Sequence, residues 1–393
     1  MDRRTFLGAV GLAGTGVLTG PAVLAQSGGD GYDTIRVPQD QKTVQAGVDA
    51  AASGDLVLVA PGTYDESVSV TTPDITLRGR DRNGVVLDGG FQRQNGVEIE
   101  ADGVAVENLT VRRYRRNAVY WSGVVGFRGS YLTAYNDGYY GIYAYDSRDG
   151  RFEYSYASGH PDAGFYLGRH HPYAAVVSDV VAEHNGMGYS GTSTGADLTI
   201  RDSLFRRNMT GIAPNTLDRA DPPQRASRIV GNVVYGNDNR DAPSVAHTFP
   251  TFGTGIALWG GSDNLVEDNL VDNHENYGVV AHHNVVPPSG NVVRNNVVLD
   301  SGLADLALGT PAGAGNEFSG NQFADSRPPG IQEDASQGSE RVSEVLNAQK
   351  RDVDDGEFPG GSYREQPEPG PQPTMRDPEV DPIPARKGAS WGS

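Results

Sequence analysis

A period of about 23 residues constrains this chain more than any other feature. Short apolar segments each open on a small or polar residue, at Gly96, Ala118, Gly141, Gly164, Gly188, Gly211, Gly255, Gly278 and Asp305. Successive openers stand 22, 23, 23, 24, 23, 44, 23 and 27 residues apart. A unit this short cannot bury an apolar face alone, so the turns must stack and share one core. Within each segment the pattern alternates with period two, which directs the first and third residues after the opener inward. Val97 and Ile99, Ile142 and Ala144, Phe165 and Leu167, Ile256 and Leu258, and Leu306 and Leu308 are therefore the expected core.

A second column recurs at Asn108, Ser130, Ser155, Asp179, Ser203, Asn232, Asn269, Asn296 and Asn321, each just before a strand-like segment such as NVVYGN or NLVDN. Stacked along a parallel coil, such side chains can bond to one another and to backbone bends, each satisfied bond contributing about 1 kcal/mol. The single 44-residue step holds two insertions, near 215–226 and 238–253, the second carrying His247. Long insertions on a solenoid are where binding surfaces are usually built.

The outward residue of successive segments reads Glu98, Tyr120, Tyr143, Tyr166, Ser190, Ala213, Ala257 and Val280. Three tyrosines thus stack on one face at about 4.8 Å per turn. They suit either the C–H faces of sugar rings or a purely stabilising aromatic ladder. Trp259 is a further candidate sugar-binding aromatic. Four residues before the openers lie Asp137, His160 and His184, a trio able to hold a metal or to run acid–base chemistry, with His160 and His184 expected on adjacent turns. Asp162 and Arg169 flank the same face; the arginine suits a uronate carboxylate. His170, His171, His282 and His283 lie at the opposite edge, too many turns apart to form one site.

Charge and composition exclude several functions. The net charge of −18 repels nucleic acid and anionic lipid. No cysteine is present, which removes disulfides and thiolate chemistry. Residues 1–25 read as an export signal: Arg3 and Arg4 begin a twin-arginine pattern, a short glycine-rich apolar run follows, and Ala22-Val23-Leu24-Ala25 offers cleavage before Gln26. The expected destination is the cell surface, the periplasm or the exterior, with no membrane span in the mature chain.

The repeats, together with KTVQAGVDAAASGDLVLVAPGTY (42–64), resemble the right-handed parallel β-helix proteins of the pectate-lyase-like superfamily over roughly residues 34–325. SGHPDAGFYLGR (158–169) is similar to a segment of exported β-helix repeat proteins. The resemblance implies an all-β, single-stranded right-handed parallel β-helix with a short capping helix at about Val44 to Ala52. A linker at 26–33 would precede the coil. Residues 326–393 would form an extended Pro/Gly-rich tail with one short helix at 338–352. Motifs of the superfamily's enzymes are missing: there is no Asp-Pro-His, no Gly-His-Gly and no Trp-x-Asp-His.

The resulting expectation is an exported protein that binds or modifies a polysaccharide or cell-surface glycan. If catalytic it is a uronate lyase or epimerase, since no carboxylate pair suits hydrolysis. In that reading Tyr143 and Tyr166 bind sugar, His160 or His184 moves the proton and Arg169 neutralises a carboxylate; Ca2+ or another divalent ion is a candidate cofactor. The alternative is a non-catalytic scaffold or a metal-handling accessory protein, with all eight histidines between His160 and His283.

Overall fold

The computed structural model describes residues 31–169, 173–217, 222–383 and 385. The expected export signal, His170, His171 and residues 218–221 of the first insertion lie outside the described residues. Met1–Gly31 and Tyr32–Ser393 are separate units, and the architecture is that of the second. Three parallel sheets of twelve, eleven and ten described strands wind as one coil, each strand pairing with the strand one turn later. The coil is a right-handed parallel β-helix.

Its register follows the sequence period. In the eleven-stranded sheet Val97 pairs with Val119, Val119 with Ile142, Ile142 with Phe165, and Ile212 with Ile256 across the long step. The expected inward residues, Val97 and Ile99 through Leu306 and Leu308, are all fully buried in one continuous core. No turn could retain this apolar surface without its neighbours.

The corners explain the second column and correct it. Each corner residue has positive φ, as at Asn108, Asp179, Asp202, Asp268 and Asn295, where Asn and Asp tolerate the left-handed region better than most side chains. The buried ladder occupies the next residue along: Asn232, Asn269, Asn296 and Asn321, each accepting from the backbone N–H and side-chain amide of the one before it, with Ser203 donating its backbone N–H to Asn232. Asn108 and Asp179 therefore belong to the strained corner and not to the ladder. The two columns differ by one position, and Asn serves both.

Helix α1 (Val44–Ala50) starts where the Thr43 hydroxyl accepts from the Ala46 N–H, and it buries Val44, Gly47 and Val48 against the core. Helix α2 (Glu340–Asp354) lays Val342 and Leu346 on Ala257, Val280 and Ala307, the outward positions of the last turns. The tail beyond it is no loose extension. It runs back along the coil as a strap: Gln366 accepts from Asn136, Thr374 donates to Asn108, Pro378 and Val380 accept from Arg78, and Asp381 meets Tyr32. Proline suits this course because it has no backbone N–H in need of a sheet partner. The strap also covers Arg78 and Glu107, both fully buried and 2.7 Å apart.

Candidate functional site

The outward face of the eleven-stranded sheet carries an open cleft of about 630 Å3. Its floor is the column expected from the period: Tyr120 pairs with Tyr143 and Tyr143 with Tyr166. The Tyr120 and Tyr143 rings stack at 4.7 Å, and Tyr143 meets Tyr166 edge-on at 4.9 Å. Tyr139 and Tyr140 stand at the strand's start, Tyr140 stacking on Tyr143 at 4.3 Å. Arg116, Arg169, His247, Glu98 and Leu217 are also part of the lining. The cleft therefore combines aromatic surface, two arginines, one imidazole and, at Glu98, a carboxylate.

The imidazole is held by a carboxylate. Asp162, only 1 % exposed, occupies the corner before the strand Ala163–Gly168, where its N–H donates to the Tyr139 carbonyl and its own carbonyl accepts from Met187. Its Oδ2 lies 2.6 Å from Nε2 of His247. His247 reaches it from the second insertion, which Phe249 and Phe252 anchor among Met209 and Ala242. With Nε2–H given to Asp162, Nδ1 is the basic atom, and it has no hydrogen-bond partner among the described residues. Burial alone would depress the His247 pKa, but the hydrogen bond and charge of Asp162 hold it above the usual histidine value. Burial, followed by the nearby Asp162 charge, raises Tyr139 and Tyr140. These phenols stay protonated, with a proton available to donate.

The expected site residues divide. Asp162, Arg169, Tyr120, Tyr143 and Tyr166 come together at the cleft. Asp137 and His160 do not reach it: both are fully buried inside the coil, with His160 Nε2 3.2 Å from Asp137 and Nδ1 2.9 Å from Asn185. They begin an internal ladder continued by Asn185, Asn208, Asn237 and His274. Burial raises the Asp137 carboxyl to about 6, against the opposing effect of its hydrogen bond to His160.

His184 is not the partner of His160. Four residues separate His160 from its opener Gly164, but only three separate Asn185 from Gly188. The shorter corner moves Asn185 into the ladder and leaves His184 outside at φ 60°, beside Asn239. Trp259 also lies elsewhere, 2 % exposed between His282 and the Lys350 ammonium of α2. Sequence reasoning missed Tyr139 and Tyr140 as cleft residues. It placed His247 on an insertion without seeing its target, since 85 residues separate it from Asp162. Among the described residues no group of three His, Asp or Glu side chains could hold a metal ion, and no helix is long and apolar enough to cross a membrane.

Comparison with known proteins agrees with the architecture. The family described as "Right handed beta helix region" matches residues 224–343. An alginate lyase from Paenibacillus sp. str. FPU-7 superposes with a TM-score of 0.50 at 17% identity, over 74% of this chain and 99% of its own. The pectate lyase Pel9A gives 0.51 at 13% identity, over 75% and 78% of the two chains. The Dettilon tailspike protein gives 0.55 at 15%, over 78% and 59%. The likeness shows the fold alone, a right-handed parallel β-helix. No curated protein sequence matches the chain.

Proposed function

We propose that this protein is a carbohydrate-active enzyme acting on an acidic polysaccharide, by β-elimination or epimerisation of a uronate unit. The observation that carries the reading is the carboxylate-held His247 in a tyrosine-floored cleft also lined by Arg116 and Arg169. An arginine beside the uronate carboxylate offsets its charge and makes the adjacent C5 hydrogen more acidic. Neutral His247 takes that proton at Nδ1 while Asp162 stabilises the imidazolium formed. In elimination the electron pair forms the C4–C5 double bond, the C4–O bond breaks, and the leaving oxygen takes a proton from Tyr139 or Tyr140. In epimerisation a phenol instead returns a proton to C5 from the other face. The likeness of fold to an alginate lyase and a pectate lyase supports the substrate class.

Residues 1–25 fit export by the twin-arginine route, which would bring the enzyme to extracellular glycans. The deciding experiment is a panel of polyuronides, read by ultraviolet absorbance for unsaturated ends and by proton NMR for inverted units. Activity lost in His247→Ala supports the reading. Absence of turnover on every polyuronide, with no binding of their oligomers, removes it.

A further inference from the structure

Among the described residues the tyrosine face is open at one end only. Toward the N-terminus its outward column ends on exposed Ser69, followed by the half-exposed Glu98, Tyr120 and Tyr143 in register. Accessibility then closes within one turn. Tyr166 is 5 % exposed, Ser190 3 % and Ala213 0 %. Leu217, from the first insertion, packs against the apolar cluster containing Tyr166 and Ala213, and α2 covers the later turns with Val342 and Leu346. Asp162 precedes the strand bearing Tyr166, so the His247 pair stands at the last turn before this wall.

A polymer lying across the site would need room on both sides of His247, and the covered turns leave it on one side. From the Tyr166 turn to the Glu98 turn there are three steps, about 14 Å at roughly 4.8 Å each. Glu98 places a negative charge at the far end, where a further uronate would be repelled. Anionic contacts are thereby confined to the units nearest Arg116 and Arg169.

We infer that the glycan is held by one of its ends with only its terminal units reaching His247, so that the enzyme works exolytically; this rests on the function proposed above. The test uses oligouronides labelled with a bulky fluorophore at either end, together with the intact polymer. One blocked end should weaken binding about tenfold or more while the other is tolerated. First products should be the shortest ones, or a converted terminal unit, with little early fall in polymer viscosity. Leu217→Ala, checked for folding by circular dichroism, should add internal events. Internal cleavage or conversion by the wild type would overturn end-on binding and leave the uronate chemistry standing. Equal binding of both blocked oligomers would overturn it even without turnover. Neither binding nor turnover on any polyuronide would remove the parent function and this inference together.

Discussion

His247 carries the sharpest prediction at the scale of single residues. It must be neutral to accept a proton, and Asp162 holds its pKa above the usual 6.5. The kcat/KM profile should therefore rise with pH through a value above 6.5, as measured by initial rates at fixed ionic strength. Asp162→Asn should move that rise to lower pH, while His247→Ala should lower kcat/KM by about 10²–10⁴ and remove the rise. A contrasting pair tests the internal ladder. His160→Ala leaves Asp137 buried without its partner, so thermal unfolding should show a loss of about 1–3 kcal/mol. His184→Ala, at an outer corner, should change stability by less than about 0.5 kcal/mol. Residue types alone made these histidines look equivalent. They differ because one corner is a residue shorter, a change that turns the next side chain from outside to inside.

Among the elements, the asparagine ladder behaves as one built object. Asn269 accepts from Asn232 and donates to Asn296, Ile229 and Glu267. Asn269→Leu should cost about 3 kcal/mol or more, because the lost bonds leave several buried groups unpaired. Denaturant unfolding with an unchanged slope would read this directly. At this scale the strands were legible, since period two within a 23-residue period admits one inward face and one stacking direction. The insertions were legible as extra length. Their destinations were not: local pattern carries no information about which distant turn an inserted side chain meets. The Asp162 and His247 pair exists only after the coil has closed, and α2 hides Trp259 by a contact that no repeat announces.

At the scale of the whole molecule, acid should unfold this protein through its neutral buried histidines. Burial lowers His274 and His282 to about 3, against 6.5 in the unfolded chain. The unfolded state therefore binds more protons below 6.5. The stability these groups provide is complete above that value and lost as pH falls toward 3, by up to about 1.4 kcal/mol per pH unit for each histidine. Asp137 acts in the opposite sense between 3.8 and 6, because its folded pKa is raised. Urea titrations at pH 7, 6 and 5 should show the net fall, and His282→Gln should shallow it.

The strap sets a second global property. A chain ending at residue 361 would expose the buried Arg78 and Glu107 pair and should melt at lower temperature, with early loss of amide protection in the first turns by hydrogen exchange. The same strap imposes a schedule on biosynthesis. Arg78 and its acceptor Pro378 are 300 residues apart, so at roughly 5–20 residues per second the first turns wait about 15–60 s for their covering strand. The nascent coil can wind turn by turn as it leaves the ribosome, but its flank stays hydrated until residue 378 has been made. The first turns of the coil to be wound are thus among the last to reach their final surroundings.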